Sequence, residues 1–239
     1  ILAGGTLALL AERHHDITIV TMTPGDCGSD RHGPEEISVI RRAEAAAAAQ
    51  LIRASYRCAE FRDLAIFNDD ASRRTVTEIL RQERPQIVLT SSPIDYHPDH
   101  EATSILVRDA CFGASCPNYQ TNVESPVDPL PAIPHLYFMD AIEGKDREGR
   151  DQRQDFFVNV ESTFHTKRDM LACHASQREW LRRQHNIDEY LNMMETWTKA
   201  IGKRCGVSYA EGFRRYPAHP YPQTPLLEQV LEGSIVRRA

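Results

Sequence analysis

Apolar and polar positions alternate along the first half of the chain in blocks that predict helices and strands in turn. Residues 6–13 have helical spacing, and residues 16–21 form a β-branched run short enough to be a buried strand. The alanine-rich segment 35–55 predicts a long helix, because alanine has the highest helix propensity. A second apolar run at 86–90 predicts another strand. This order predicts an α/β fold in which the two strands are neighbours in one parallel sheet.

The rest of the chain continues this alternation with longer polar segments between the elements. Asp69 and Asp70 are placed to cap a helix that runs to Gln82. Residues 113–134 contain five prolines and little periodicity, which is typical of a long surface loop. Strands are predicted at 135–142 and 156–160, and a helical region with a tail at 162–239. We find no internal repeat and expect residues 1–239 to form a single domain.

The composition is that of a globular protein without a polyanionic partner. The chain has 28 Lys and Arg and 34 Asp and Glu, so its net charge is only −6. We therefore expect no nucleic-acid binding. The apolar run 1–11 stops at Glu12 and lacks a preceding basic segment, so it predicts neither a membrane span nor a signal peptide. The six cysteines lack CxxC spacing, which favours reduced thiols in a cytoplasmic protein.

Candidate chemistry is concentrated in residues 95–101, which hold two histidines and three acidic residues directly after a predicted strand. On a helix that starts at Pro98, His100 lies in the first turn, where a neutral imidazole is able to ligate zinc. His97 precedes that helix and offers a proton-transfer group on the same side. The alternative is that His97 caps the helix, its acidic residues stabilise the helix dipole and His100 is solvated. The motif by itself leaves both interpretations open.

Other fragments, in order along nearly the whole chain, favour the zinc interpretation. They are Gly4-Gly5-Thr6-Leu7-Ala8, Thr21-Met22-Thr23-Pro24-Gly25-Asp26, Arg41-Arg42-Ala43-Glu44, Arg84-Pro85-Gln86-Ile87-Val88, Asp95-Tyr96-His97-Pro98-Asp99-His100, His174-Ala175-Ser176-Gln177 and Tyr209-Ala210-Glu211-Gly212-Phe213. Together they resemble the LmbE-like or PIG-L family of zinc-dependent de-N-acetylases. The resemblance implies a Rossmann-like, doubly wound α/β fold with a mostly parallel sheet. It also implies a first strand and a His-Pro-Asp-Asp motif before the Gly-Gly-Thr helix, and we expect this segment upstream of Ile1.

The same resemblance implies roles for the residues of the His-Pro-Asp-His motif. His100 matches the third ligand of the zinc cofactor, the other two ligands and the usual general base belonging to the upstream motif. His97 matches the imidazole that stabilises the oxyanion or protonates the leaving amine, and Asp99 matches the carboxylate that supports this machinery. Amide hydrolysis near neutral pH needs a strong nucleophile, which zinc with three protein ligands provides by lowering the pKa of its bound water to roughly 7.

Substrate contacts are also implied by the resemblance. Arg41 and Asp69 match positions that face sugar hydroxyls, to which a guanidinium and a carboxylate make directional hydrogen bonds. Asp26 is a further candidate at the rim. The alternative places Arg41 in an i,i+3 pair with Glu44 and Asp69 in a turn or helix cap, and the sequence alone favours that alternative.

These features predict an enzyme that removes the acetyl group from an N-acetylglucosamine-type sugar or conjugate, with a small amino sugar as its partner molecule. The alternative is an inactive sugar-binding protein of the same fold without a complete metal site. A dinucleotide enzyme is disfavoured because Gly4-Gly5 is not a GxGxxG motif after a strand. Large side chains in the helical region predict either core positions or contacts in a homo-oligomer: Trp180, Tyr190, Met193, Met194 and Trp197.

Overall fold

The structure is a computed structural model that describes residues 2–185 and 190–238. Its helices are α1 (Gly4–Glu12), α2 (Pro34–Gln50), α3 (Asp70–Glu83), α4 (Pro98–Ala114), α5 (Phe164–Ala172), α6 (Ala175–His185), α7 (Tyr190–Cys205) and α8 (Leu226–Val230). Its strands are β1 (Thr18–Thr21), β2 (Ser55–Cys58), β3 (Ile87–Thr90), β4 (His135–Met139), β5 (Phe156–Asn159), β6 (Ala210–Arg215) and β7 (Ile235–Val236). The chain divides into two compact units. Unit 1 comprises Ile1–Asp63, Phe157–Glu211 and Gly233–Ala239, and unit 2 comprises Leu64–Phe156 and Gly212–Glu232.

Unit 1 contains a parallel strand pair and a core of small side chains. β1 and β2 pair in parallel, with Thr18 opposite Ser55, and α2 is the connecting helix that a parallel pair requires. The alanine run of α2 faces the core, where Ala48 and Ala49 are buried together with residues of α1 and α5. These small side chains let α2 pack closely in this core.

The start of α1 is held by side chains that are distant in sequence. The helix has no side-chain cap of its own, but Glu211 accepts hydrogen bonds from the backbone N–H groups of Gly5 at 2.9 Å and Thr6 at 2.8 Å. The ammonium of Lys167 pairs with the same carboxylate at 2.8 Å, and both side chains are buried. A Cβ at Gly5 would approach the side chain of Val160 to 2.6 Å, so this close packing requires glycine.

Unit 2 carries the strand and helix that bracket the His-Pro-Asp-His motif. β3 pairs in parallel with β4, and β4 pairs antiparallel with β6. α3 packs against α4, and the buried guanidinium of Arg81 on α3 donates to the carbonyls of Gly113, Ala114 and Cys116 at the end of α4. These bonds satisfy carbonyl groups that a helix C-terminus leaves without intrahelical partners. The C-terminal end of α4 is thus fixed by polar contacts within the unit.

The predicted elements of the first half are present, with shorter bounds for the long helix, which ends at Gln50 rather than Ser55. One prediction is wrong: β1 and β3 are not neighbours, since β1 pairs with β2 and β3 with β4, in separate sheets. β2 is not predicted from the sequence because its residues, Ser-Tyr-Arg-Cys, do not form an apolar run. That missed strand is the partner of β1, because the helix crossover brings the next strand of the chain alongside.

The helical region predicted after residue 162 forms α5, α6 and α7, and its part at 186–189 lies outside the described residues. β6 was not predicted as a strand. Met194 is buried in a cluster with Phe164 and Leu171, as expected for a core position. Among the described residues, no helix combines the length and the apolar composition needed to cross a membrane. The single-domain organisation stays a prediction.

Candidate active site

The His-Pro-Asp-His motif forms the junction between β3 and α4, as the sequence predicts. α4 begins at Pro98, and His97 occupies the N-cap with an extended backbone. Its Nδ1 accepts a hydrogen bond from the backbone N–H of Asp99 at 3.2 Å, which satisfies one of the helix's unpaired N–H groups. Proline at the first helical position and acidic residues in the first turn are the local signals that set this boundary.

The two imidazoles of the motif lie side by side. The ring centroids of His97 and His100 are 4.8 Å apart with the planes tilted by 32°. The ring of Tyr96 meets both edge-on, at 5.8 Å from His97 and 5.7 Å from His100, and Tyr96 remains 61% exposed. Among the described residues, none makes a hydrogen bond to the Nε2 atom of either imidazole. Each ring therefore keeps one nitrogen available to a ligand.

Asp95 contacts both histidines from the interior. Its side chain is completely buried, and Oδ1 lies 3.0 Å from Nδ1 of His100. The same oxygen accepts the backbone N–H of His97 at 3.1 Å. Oδ2 of Asp95 is buried and has no hydrogen-bond partner among the described residues. No role for this aspartate follows from the resemblance, although its position two residues before the first histidine, at the end of a strand, is a signal in the sequence.

A second acidic residue of the motif fixes the loop from the other side. Glu101 accepts the backbone N–H of Asp95 at 2.8 Å. Both of its oxygens also accept hydrogen bonds from Arg147, at 2.8 and 2.7 Å. The buried amide of Gln152 donates to Ser92 Oγ at 2.9 Å and to the carbonyl of Ile94 at 2.6 Å. Residues of the segment after β4 thus support the β3–α4 loop through these hydrogen bonds.

Asp99 is buried, and its carboxylate accepts a hydrogen bond from the chain segment that precedes α3. Oδ2 accepts the backbone N–H of Leu64 at 2.7 Å. His97 contacts Asp99 only through the backbone N–H of Asp99, which donates to Nδ1 of His97. The carboxylate that contacts a histidine ring is that of Asp95, which faces His100. The catalytic roles of His97 and Asp99 and the metal role of His100 stay predictions.

Arg41 and Asp26 belong to unit 1 and stabilise the loop after β1. The guanidinium of Arg41 donates to the carbonyls of Gly25 at 3.0 Å and Gly28 at 2.6 Å. A Cβ at Gly25, where φ is +78°, would meet this guanidinium at 2.5 Å. Burial lowers the pKa of Arg41, and the charges of Asp63 and Glu44 oppose this shift. Arg41 therefore clamps the loop, and Glu44 bonds instead to the N–H and Oγ of Ser176, both at 2.7 Å.

Asp26, Cys27 and Asp63 are the one group of three His, Cys, Asp or Glu among the described residues whose ligand atoms lie within 4.8 Å of one another. Their polar atoms already serve the loop: Asp26 Oδ1 accepts the N–H of Asp63 at 2.8 Å, and Asp63 Oδ2 accepts that of Cys27 at 2.9 Å. Arg62 lies 3.6 Å from the other oxygen of Asp26. These contacts give the group a structural explanation without a metal.

Asp69 is the N-cap of α3. Its Oδ1 accepts the backbone N–H of Ser72 at 2.7 Å, and this hydrogen bond is the largest cause of the lowered pKa of the Asp69 carboxyl. The side chain lies at an exposed position of unit 2. The geometry matches the helix-cap alternative, while the sugar-binding role stays a prediction.

The donor set of the motif fits one position of a zinc site. A histidine that binds a metal through one ring nitrogen characteristically donates the N–H of the other to a carboxylate. Nδ1 of His100 faces the carboxylate of Asp95 in this way. The available Nε2 is a nitrogen donor of the type that zinc accepts. Among the described residues, no group of three ligand atoms includes His100. The motif thus offers one ligand by itself.

Comparisons with known proteins add to this geometry. Residues 1–111 match the sequence profile of the PIG-L family, described as GlcNAc-PI de-N-acetylase. A 4-oxalmesaconate hydratase of Pseudomonas putida is 25% identical over 220 residues, covering 89% of this chain and 82% of the relative. A diacetylchitobiose deacetylase of Thermococcus kodakarensis is 23% identical over 227 residues, covering 90% of this chain and 77% of the relative.

The fold has counterparts among solved structures. The N,N'-diacetylchitobiose deacetylase from Pyrococcus horikoshii, in complex with its inhibitor MPG, matches with a TM-score of 0.76 and 24% identity, over 94% of this chain and 83% of that one. This match confirms the predicted α/β fold class and its likeness to the LmbE-like structures.

Proposed function

We propose, from the match of residues 1–111 to the PIG-L family profile, that the protein is a zinc-dependent N-deacetylase. It hydrolyses the acetamide of an N-acetylglucosamine-type sugar or conjugate and releases acetate and the free amine. The observation that carries the proposal is the pair of imidazoles at the start of α4, each with Nε2 available. Zinc-dependent amide hydrolysis uses both a bound metal and a proton donor, and two differently bonded histidines suit these two tasks.

His97 acts as the proton donor in this proposal. Because its Nδ1 accepts the N–H of Asp99, the neutral ring carries its proton on Nε2. That N–H donates a hydrogen bond to the acetyl oxygen as negative charge develops there. When the ring takes up a proton from solvent at Nδ1, that nitrogen no longer accepts the N–H of Asp99, and the imidazolium then transfers its Nε2 proton to the departing amine nitrogen. Asp99 supports this arrangement through its backbone N–H and anchors the neighbouring segment at Leu64.

His100 acts as one zinc ligand through Nε2. Zinc, when bound, supplies the Lewis acidity that lowers the pKa of its bound water to roughly 7. Arg41, Asp69 and Asp26 are the proposed sugar-binding residues on the family resemblance alone, because their present contacts serve the β1–α2 loop and the cap of α3. The name of the Thermococcus kodakarensis relative supports an N-acetylated amino sugar as the substrate class.

A hydratase is the second candidate, because the Pseudomonas putida relative matches at a similar level and its name specifies hydration. The substrate of such a hydratase would be an unsaturated polycarboxylate. Its carboxylates would require cationic groups in the site to bind them. The sequence alternative, an inactive sugar-binding protein, predicts affinity for the sugar without turnover.

The test combines metal analysis with product analysis on the full-length protein. We expect stoichiometric zinc and the release of acetate from diacetylchitobiose or another N-acetylglucosaminide, both lost in His100→Ala. Hydration of an unsaturated tricarboxylate without acetate release would replace the deacetylase proposal by the hydratase. Sugar binding by calorimetry without acetate release would support the inactive binding protein instead.

A further inference from the structure

We propose that Asp95 is the positioning residue that holds His100 as the Nδ1–H tautomer and thereby presents its Nε2 lone pair to a divalent cation. The inference rests on the proposed function in one respect, since it takes His100 as the metal ligand. Its first consequence, the tautomer of a metal-free ring, is independent of any metal and of turnover.

The geometry of Asp95 leaves its carboxylate few alternatives. The side chain is fully buried, and Oδ1 lies 3.0 Å from Nδ1 of His100. A carboxylate is an acceptor, so the ring nitrogen that faces it carries the hydrogen. In a neutral imidazole the other nitrogen, Nε2, is then the one with a free lone pair. The direction of this hydrogen bond is therefore set by chemistry.

His97 provides an internal contrast only three residues away. Its Nδ1 accepts a backbone N–H, that of Asp99, so its proton must lie on Nε2. The two neutral rings are consequently held in opposite tautomers, although their centroids are only 4.8 Å apart. One ring presents a donor and the other an acceptor. Asp95 makes this difference possible, because it offers its carboxylate to the ring of His100 and only accepts the backbone N–H of His97.

Asp95 is itself held in place by the chain around it. Its backbone N–H donates to the carboxylate of Glu101. Both oxygens of that carboxylate also accept hydrogen bonds from Arg147. The backbone of Asp95 is therefore held beside His100, and its carboxylate also accepts the N–H of His97. Carboxylates behind metal-binding histidines orient the ring and raise its basicity, and their removal commonly weakens metal affinity by about 10–100-fold. We expect Asp95→Ala to fall in this range.

The decisive measurement is the ¹⁵N and ¹H NMR spectrum of the histidine rings in metal-free full-length protein, at a pH above the ordinary imidazole pKa of about 6.5. We expect the Nδ1–H tautomer at His100 and the Nε2–H tautomer at His97. In Asp95→Ala the His100 ring should lose its preference for Nδ1–H, while His97 keeps its tautomer. In Asp95→Asn the amide oxygen still accepts the bond, so the tautomer should persist.

Asp140→Asn serves as the matched control. Asp140 is another buried carboxylate of unit 2, and it accepts hydrogen bonds from Gln154, at 3.0 and 2.9 Å. Neither histidine tautomer should change in this variant, which separates a specific effect from a general effect of removing a buried charge. Should Asp95→Ala fail to fold, the wild-type spectrum still decides the question, because an Nε2–H tautomer at His100 overturns the proposal.

The outcomes separate this inference from the proposed function. An Nε2–H tautomer at His100 in the wild type, or an unchanged His100 tautomer in folded Asp95→Ala, would overturn the role of Asp95. Titration with Zn²⁺ alone tests the second step, with about 10–100-fold weaker binding expected in Asp95→Ala. If the tautomer responds as expected but His100→Ala binds Zn²⁺ as tightly as the wild type, the positioning role stands and the assignment of His100 as a ligand falls.

Discussion

Two loops of this protein follow the same plan, a parallel strand followed by a polar loop and a helix whose first residue is proline. The β1–α2 loop (residues 22–33) lies in unit 1, and the β3–α4 loop (residues 91–97) lies in unit 2. In the first, the charged groups bond to backbone atoms of the loop or of the segment beside it: Arg41 donates to two loop carbonyls, Asp63 accepts the N–H of Cys27, and Asp26 accepts the N–H of Asp63. In the second, the buried carboxylate of Asp95 supports histidines whose Nε2 atoms remain available.

The comparison shows how to distinguish a structural polar cluster from a chemical one. Both loops are rich in the residue types that catalyse reactions or bind ligands in enzymes, and both carry fragments that resemble the same family. A side chain whose hydrogen-bonding groups are directed to nearby backbone atoms contributes mainly to loop conformation. A ring with one nitrogen fixed and the other available is prepared for an external ligand. Substitutions in the β3–α4 loop should therefore act on chemistry, and those in the β1–α2 loop on stability.

The largest effect is expected from His100→Ala. This change removes the proposed metal ligand from the β3–α4 loop, so zinc content should fall to background and acetate release should fall below detection. The change also removes the ring N–H that faces the buried carboxylate of Asp95, so the free energy of unfolding of the metal-free protein should fall by about 1–3 kcal/mol. Metal analysis, an acetate assay and urea denaturation check these three points, and full zinc content in the variant would contradict the assignment.

His97→Ala should separate proton transfer from metal binding. We expect zinc content to stay at the wild-type level while turnover falls by about 10²–10⁴-fold, the usual contribution of a positioned general acid. The loss should appear in kcat, because the interaction is made with charge that develops during the reaction. Equal loss of metal in the His97 and His100 variants would show that the two histidines share one role.

Arg41→Lys tests the structural role of the β1–α2 loop. A lysine ammonium cannot bridge the carbonyls of Gly25 and Gly28 with planar geometry, so the free energy of unfolding should fall by about 1–3 kcal/mol. Arg42→Lys is the matched control, because Arg42 makes a largely exposed pair with Glu60 and should change stability by only about 0–1 kcal/mol. A raised KM in Arg41→Lys without any loss of stability would favour the sugar-binding role implied by the family resemblance.

The smallest effect is expected from Asp69, where cap and sugar contact are again the alternatives. Asp69→Ala should lower the melting temperature slightly, while Asp69→Asn should keep it, because asparagine is an equally good N-cap. The backbone N–H of Ser72 holds the folded-state pKa of Asp69 below its ordinary value, near 3.9 in an unfolded chain. The charge-dependent part of the cap's stabilisation is therefore present above about pH 4 and is lost as the pH falls through the lowered folded-state pKa.

Thermal unfolding of wild type, Asp69→Ala and Asp69→Asn across that acidic range measures this contribution. The wild type should lose its advantage over Asp69→Ala as the pH falls. A large change of KM for the sugar in Asp69→Asn, with unchanged stability, would instead place Asp69 against the substrate.

Local rules were enough to place the motif and most elements along the chain. Proline at position 98 after a potential cap, preceded by the apolar run at Ile87–Thr90, set the β3–α4 junction, because these preferences act over a single turn. Asp69 was recognised as a possible cap for the same reason. The alternation of apolar segments was sufficient for the α/β class, since it reflects which faces are buried.

Only the tertiary structure decided which strands pair and which acidic group faces which histidine. β1 pairs with β2, a strand with no apolar run, because pairing depends on the path of the connecting helix. From the sequence, Asp99 was the expected carboxylate of the motif, yet Asp95 contacts the ring of His100 and Asp99 bonds to Leu64. The guanidinium of Arg41 likewise faces the loop carbonyls of Gly25 and Gly28. In each case the three-dimensional path of the loop, and not the spacing along the chain, sets which groups a side chain contacts.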